Sequence, residues 1–301
     1  MQVQDAHLTA RLTTVEDTGP PMDPTRGTIV SHANLRGDGR KFNEFRKVRF
    51  KVNAVKSNSS DGSVYYEQGN NKIIVSIVGP KVSSVKGKNV NKKRCVIKCE
   101  YATSPFAAIG YRRSTKRDRR NIVEANTIRN IFEGVILTNL LPSSEVNIFV
   151  NVLQSDGSAL CCCINAVSLA LIHAGIPCID FVIGTTCCSI ANVNDLPKQS
   201  SQVSVHNLVD LNHTEVNSGY PQIEVAVLPN LSNRICFLRM ANRVDMQIFE
   251  SMLKTATTTC QATLKLFKSC LLDDHLSRVK KMTGRRDPIE DTNGTESEET
   301  H

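Results

Sequence analysis

The chain has 301 residues, 40% of them hydrophobic, and a formal net charge of +8, so it can bury one or two substantial cores. No apolar stretch reaches the roughly 18 residues that span a bilayer, and the N-terminus lacks the charged-then-apolar order of a secretory signal. These features argue against a membrane-spanning or secreted chain and predict one of the cytosol or nucleus, with no membrane partner.

The first hundred residues predict a flexible extension followed by strands. Residues 1–30 show no periodicity and are interpreted as a flexible extension. Three apolar runs, joined by turns at 61–62 and 69–71, predict an antiparallel meander whose last strand ends at Gly79-Pro80. Residues 94–103 predict a further strand.

A basic stretch follows. Residues 86–120 carry 12 Lys and Arg against Glu100 and Asp118, whereas the chain from 121 onward has 13 basic and 19 acidic residues. A basic first half and an acidic second half indicate a polyanion as partner for one face. A solvated surface with lysines all round is the alternative that composition leaves open.

A helix is predicted over 119–140, ended by Pro142, and a strand over 145–153 follows it. The loop 156–158 then leads into an apolar helix over 159–174 with a stop at Gly175. A strand, a loop of small residues and a helix N-terminus together direct backbone N–H groups at an anion. Here Leu160 and three cysteines stand where phosphate-binding enzymes usually place a cation.

The eleven cysteines do not predict a disulfide framework or a zinc site. Their number is odd, none forms a Cys-x-x-Cys pair, and most lie in apolar runs. We expect reduced thiols that fill the core. The seven histidines likewise form no metal-ligand spacing, so no metal or other cofactor is predicted.

The last part of the chain predicts a strand over 179–190, strands over 223–228 and 234–240, and an amphipathic helix over 245–272. Residues 191–207 are polar and patternless, and we interpret them as an exposed insertion. Residues 284–301 are interpreted as an acidic flexible tail. The order of elements predicts a mixed α/β (α+β) fold with helices packed on a largely antiparallel sheet.

Several sequence blocks, in the same order, resemble the ribonuclease-PH-like family. They are Leu35 to Arg40 followed by Glu44 and Arg46, 61–63, 67–72, 79–81, 118–120, 152–157, 164–166 and 174–177. The string 67–72 is most similar to RNA exosome core subunits of the rRNA-processing protein forty-one type. The resemblance covers about 34–275 and indicates a ribonuclease-PH-like domain over 31–275.

This resemblance implies a ribosomal-protein-S5-domain-2-like fold and a six-membered ring of such subunits around an RNA channel. The implied partners are RNA, other ribonuclease-PH-like exosome subunits, S1/KH cap subunits and an associated exoribonuclease. The implied role is rRNA processing and RNA degradation, in the nucleus (including the nucleolus) and the cytoplasm.

The resemblance also predicts that catalysis is lost. Active relatives hold phosphate with a Gly-Ser-Arg triplet, which aligns with Ser158-Ala159-Leu160, so that the arginine position is Leu160. The general-acid aspartate aligns near Gln222, and 217–222 contains no carboxylate. Asp195 and Asp210 match neighbouring positions of the family better than the acid itself.

The resulting prediction is a non-catalytic ring subunit that lines the RNA channel. One alternative is a phosphate-dependent 3′-to-5′ exoribonuclease with a rearranged site, and another is a free-standing basic RNA-binding protein.

Sequence-independent RNA affinity comes mainly from cations that contact phosphates. The predicted RNA-binding residues are Arg119 and Arg120, then Arg112, Arg113, Lys116, Arg117 and Lys86.

Overall fold

The computed structural model describes residues 35–55, 60–82, 94–107, 118–191 and 205–283. The predicted extension 1–30, the tail 284–301 and most of the predicted insertion 191–207 lie outside these ranges. By internal contacts the chain divides into two units, Met1–Leu264 and Lys265–His301. Both sheets belong to the first unit.

The first sheet has five strands in the order β1-β2-β3-β5-β4. They are β1 Val48–Val52, β2 Gly62–Gln68, β3 Asn71–Val82, β4 Val96–Thr103 and β5 Ser144–Gln154. Neighbours are antiparallel except β4 and β5, which run parallel and are connected through helix α1, Arg119–Glu133. Such a crossover brings the carboxyl ends of both strands to one edge, where Thr103 pairs with Val152.

The second sheet has four antiparallel strands in the order β7-β6-β8-β9. They are β6 Ile183–Ala191, β7 Val205–Val209, β8 Gln222–Leu228 and β9 Arg234–Ala241. The short helix α3, His213–Val216, follows β7. Sequence reasoning missed β7 and α3, because β7 begins inside the polar stretch interpreted as an insertion.

Helix α2, Ala159–His173, packs against both sheets, and every residue from Leu160 to Leu171 is buried. The sheets approach it closely at two glycines. A Cβ on Gly62 would lie 2.7 Å from the Ala170 carbonyl oxygen, and one on Gly184 would lie 3.1 Å from the Cys161 Cα. A mostly apolar helix, buried on all sides, therefore forms the centre of the first unit.

Helix α4, Met246–Thr283, covers the other face of the second sheet along its first turns. Asn207 Nδ2 lies 3.1 Å from Thr255 Oγ1, and the Cys260 thiol approaches the Ile183 carbonyl oxygen at 3.5 Å. In the described residues, no helix is long and apolar enough to cross a membrane.

Several predicted boundaries differ from the structure, among them the start of β6, which is Ile183 rather than residue 179. The helix predicted to reach residue 140 ends at Glu133, because Ile136 leaves the helix to pair with Cys178. Strand β3 continues past Gly79-Pro80, since Lys81 and Val82 still pair with β5 beyond a bulge. Helix α4 extends to Thr283 rather than 272.

Candidate nucleic-acid interface and anion loop

The anion loop, Asp156–Ser158, connects β5 with α2 as predicted. Gly157 and Ser158 both adopt left-handed backbone conformations, with φ of +67° and +51°. A Cβ on Gly157 would lie 2.6 Å from the Leu211 carbonyl oxygen, so only glycine fits there. The Ser158 hydroxyl bonds Thr186 Oγ1 at 2.6 Å and donates to the Leu211 carbonyl at 3.0 Å. This hydroxyl therefore bonds other parts of the fold and does not cap the N-terminus of α2.

The first turn of α2 offers no charge to an anion. Leu160, at the position predicted for arginine, is only 4% exposed. The cysteines that follow it are buried, and burial raises the pKa of the Cys162 thiol to about 12. These thiols are therefore neutral at physiological pH. Backbone N–H groups and the helix dipole are the attractive elements that remain at this turn.

Asp156 places a carboxylate beside this helix terminus. Its Oδ1 accepts the His213 backbone N–H at 3.0 Å, and its Oδ2 accepts from Asn70 Nδ2 at 3.1 Å. Arg46 Nη1 lies 3.5 Å from Oδ2 and donates to the Asp156 carbonyl at 2.8 Å. The loop is thus fixed from three sides, and its one charged side chain is negative.

Next to the loop lies a group of ion pairs, the arginine cluster, that sequence reasoning did not assign. It joins the segment 36–46 to the residues that follow β7. Its members are Arg36, Arg40, Arg46, Asp38, Asp210 and Glu215. All its members are buried except Asp38. The sequence signal was present, because three of these arginines belong to the block quoted for the family resemblance.

Three hydrogen bonds join Arg46 to Asp210 within the cluster. Arg46 Nη2 donates to Asp210 Oδ1 at 2.6 Å, while Arg46 Nε and its backbone N–H both donate to Oδ2 at 2.9 Å. Burial pushes the pKa of Asp210 up, but the hydrogen bonds and charge of Arg46 outweigh burial and hold that pKa below its usual value. Asp210 is therefore an ionised structural residue and a poor proton donor.

Gln222, aligned with the general acid, is the first residue of β8 and pairs with Cys188 and Ala241. The loop 217–221 that precedes it connects α3 to β8. Asp195 lies outside the described residues. Within the described ranges, no group of three His, Cys, Asp or Glu side chains is arranged to hold a metal ion.

Of the predicted RNA-binding residues, the structure describes two. Arg119 and Arg120 are the first residues of α1, and both are exposed. Asp118 caps the helix by accepting the Arg120 backbone N–H at 3.2 Å. Because cations at a helix N-terminus interact unfavourably with the helix dipole, these two arginines do not stabilise α1. The other predicted residues lie outside the described ranges: Lys86, Arg112, Arg113, Lys116 and Arg117.

A pocket of about 390 Å³ opens at the edge of the first sheet where β4 and β5 end. Phe106, 69% exposed, forms part of its wall. Polar and charged groups from β3, β5 and the anion loop complete the lining, among them Lys72, Gln154 and Asp156. Sequence reasoning missed this pocket, although carboxyl ends of parallel strands are a common place for ligands.

Comparison with known proteins agrees with this architecture. The family described as "3' exoribonuclease family, domain 1" matches residues 44–177. The chain is 35% identical over 245 residues to an exosome complex component RRP41 homolog of Arabidopsis thaliana, an alignment that covers 81% of this chain and 95% of the relative.

Two solved structures show the same fold. A crystal structure of rice (Oryza sativa) Rrp46 superposes with a TM-score of 0.65 at 18% identity, over 79% of this chain and 100% of that one. An Archaeoglobus fulgidus exosome with RNA bound to the active site superposes with a TM-score of 0.61 at 19% identity, over 78% and 93%. The predicted mixed α/β, ribonuclease-PH-like fold is confirmed.

Proposed function

The chain belongs to the RRP41 family of ribonuclease-PH-like exosome components, and we propose that it is a non-catalytic subunit of an exosome ring. In this role it lines the RNA channel and supports 3′-to-5′ processing and degradation of RNA, including rRNA, by associated nucleases.

The main evidence for the proposed loss of catalysis is the buried Leu160 in the first turn of α2. A bidentate arginine supplies both charge and geometry for phosphate, and leucine supplies neither. Asp156, the charged side chain of the loop, does not replace the missing cation, because it is a carboxylate paired with Arg46 at 3.5 Å. In addition, the loop before Gln222 contains no carboxylate that could protonate a leaving oxygen.

The RNA-guiding role is supported by where α1 begins. Exposed Arg119 and Arg120 follow directly on a stretch that holds four more cations in the sequence. Together these cations can contact successive phosphates without reading sequence. The pocket with Phe106 and Lys72, at the carboxyl ends of β4 and β5, offers an aromatic face and a cation to an RNA strand.

The proposed partners follow from the family. They are RNA, other ribonuclease-PH-like subunits in a hexameric ring, S1/KH cap subunits and an associated exoribonuclease. The proposed locations are the nucleus, including the nucleolus, and the cytoplasm. The structural neighbour from Archaeoglobus fulgidus, an exosome with RNA bound to the active site, supports RNA as the ligand.

A second candidate is a phosphate-dependent 3′-to-5′ exoribonuclease with a rearranged site. The observation in its favour is the retained anion loop, whose left-handed Gly157 and Ser158 lead into the N-terminus of α2. Backbone N–H groups there could hold phosphate without an arginine.

The two functions are separated by a direct assay. The chain, alone and assembled with its ring partners, is incubated with labelled RNA and inorganic phosphate, and nucleoside diphosphates are measured. We expect none above the level of a control without protein. Diphosphate release that requires phosphate and this chain would establish the second candidate instead.

A further inference from the structure

The two halves of helix α1 are held in different ways. The C-terminal half has three buried side chains, Ile128, Ile131 and Phe132. In the N-terminal half, residues 119–127, every side chain is exposed or half-buried. This half carries the two arginines proposed to contact RNA. Their position is therefore set largely by polar contacts rather than by packing in the core.

Two side-chain hydrogen bonds connect this N-terminal half to the rest of the described chain. Thr103 Oγ1, at the end of β4, donates to Asn121 Oδ1 at 3.2 Å. Arg239 Nη1, on β9, donates to Glu124 Oε1 at 3.0 Å. The first bond comes from the strand that leads into α1, whereas the second comes from the other sheet. Arg239 therefore joins the start of α1 to the second sheet.

The Glu124 carboxylate depends on Arg239 as its charge partner. Its other oxygen, Oε2, is enclosed and accepts no hydrogen bond within the described residues. The side chain is only 22% exposed, so water could replace a lost cation only in part. Glu124 lies one helical turn after Arg120, on the same side of α1. A bond that fixes Glu124 therefore also fixes Arg120 relative to the second sheet.

A second carboxylate holds Arg239 in place. Glu224 lies directly opposite on β8, and its Oε2 accepts from Arg239 Nε at 2.6 Å. The planar fork of a guanidinium can bond both carboxylates at once, which the point charge of a lysine does not reproduce. Burial works to lower the pKa of Arg239, but Glu224 and Glu124 outweigh burial and raise that pKa. Arg239 is therefore a permanently charged bridge from β8 and β9 to α1.

We propose that Arg239 is a positioning residue for RNA binding, which through Glu124 fixes the first turns of α1, and with them the two exposed arginines, to the second sheet. This role rests on the proposed contact of those arginines with RNA. Because the bridge is partly exposed, it adds little to global stability. Its effect is to hold the helix start in the conformation that meets the RNA backbone, which lowers the cost of ordering it on binding.

The first test compares Glu124→Met with Glu133→Met in the full chain assembled with its ring partners. Both variants remove one acid from α1, but Glu133 is 59% exposed and pairs with Arg129 of the same helix. Glu124→Met should weaken the affinity for a labelled single-stranded RNA about threefold, although its added positive charge favours RNA. Glu133→Met should not weaken it. Hydrogen exchange of amides 122–127 should be about threefold faster in Glu124→Met alone, with amides 128–133 unchanged.

Arg239 is tested together with Glu224, so that no carboxylate on β8 is left without its cation. Arg239→Met with Glu224→Met keeps the net charge and should weaken RNA binding as Glu124→Met does. Adding Glu124→Met to that pair should cause no further loss, because all three changes remove one connection. Glu124→Gln has the same net charge as Glu124→Met but keeps an oxygen that can accept from Arg239. It should restore most of the affinity and slow the exchange again.

Unchanged RNA affinity and unchanged exchange at 122–127 in Glu124→Met would overturn the proposal. So would equal losses in Glu124→Met and Glu133→Met, additive losses in the triple variant, or faster exchange throughout the chain, which would show general destabilisation.

The variant Arg119→Glu with Arg120→Glu, measured in parallel, tests the RNA contact itself. If this reversal weakens RNA binding and Glu124→Met does not, the positioning role of Arg239 alone is wrong. If the reversal has no effect, the proposed RNA contact at the start of α1 is wrong, and the role of Arg239 in RNA binding is wrong with it.

Discussion

At the scale of single residues, arginines of this chain have two different roles, depending on whether they are buried or exposed. The arginines at 36, 40 and 46 are buried and hold the chain together, whereas Arg119 and Arg120 are exposed. Sequence alone shows the residue types but not their burial, and burial decides whether a guanidinium is a structural or a ligand-binding group. Leu160 shows the converse, because a position expected at the surface of a binding site is part of the core.

We expect Arg46→Met to destabilise the fold strongly. The variant removes the three hydrogen bonds of Arg46 to Asp210 and leaves that buried carboxylate, in the described part of the chain, with Arg40 alone as a cation, at 3.7 Å. Breaking a buried pair in this way costs about 3–5 kcal/mol. Lys47→Met, at the exposed neighbouring position, should change the free energy of unfolding by no more than about 0.5 kcal/mol. Urea denaturation at pH 7 measures both. Equal losses in the two variants would show that the cluster contributes little.

Asp210 should make the stability depend on pH. Because the pKa of Asp210 is lower in the folded than in the unfolded chain, the pair stabilises fully above the unfolded pKa of about 3.9. That contribution is lost as the pH falls through the folded pKa. Asparagine tolerates the left-handed conformation at this position, where φ is +58°, so Asp210→Asn removes the charge without straining the backbone.

The stability difference between wild type and Asp210→Asn should therefore be large at pH 7 and shrink below about pH 4. Urea denaturation across this range measures it. A difference that stays constant down to pH 3 would contradict the assignment of an ionised, paired Asp210.

At the scale of elements, the N-termini of α1 and α2 provide the main evidence for function. Both helices begin near the carboxyl ends of β4 and β5, where Thr103 bonds Asn121 and the anion loop follows Gln154. One helix begins with two exposed cations and the other with a neutral, buried turn. This contrast is consistent with contact to an RNA backbone and with weakened binding of free phosphate.

Charge reversal at the start of α1 should weaken RNA binding without harming the helix. In Arg119→Glu with Arg120→Glu, the new acids favour the helix N-terminus, so folding and ring assembly should be kept. Protection of a threaded RNA by the assembled complex should decrease. The slope of log affinity against log salt should fall by about 1.4, since each single-strand phosphate contact contributes about 0.7.

The matched control reverses two exposed arginines outside α1, Arg234→Glu and Arg243→Glu, with the same change in net charge. RNA protection should then stay near the wild-type level. If the control weakens protection as much, the effect is one of overall charge and the assignment of Arg119 and Arg120 is wrong.

At the scale of the whole molecule, two sheets share one central helix. Asn165 of α2 donates to the Gly184 carbonyl at 3.0 Å and accepts its N–H at 2.7 Å, so the one large polar side chain in the middle of the helix is fully used. At the far end of α2, Gly175 adopts φ of +71°, the helix stop that the sequence predicted. The helix that follows the anion loop is therefore fixed to the second sheet by these bonds and ends at a defined stop.

The sequence by itself determined the elements whose periodicity is strong: the meander, the apolar helix after the anion loop, and the mixed α/β order. It also carried the family resemblance and the neutral Leu160. The tertiary structure alone decided where α1 ends, that β7 exists, and that the arginines of segment 36–46 pair with Asp210 and Glu215. The arginines bond residues more than 160 positions away, α1 ends where Ile136 pairs with Cys178, and β7 pairs with β6 across the polar stretch. A local pattern cannot report which distant partner will bury a charge or extend a sheet.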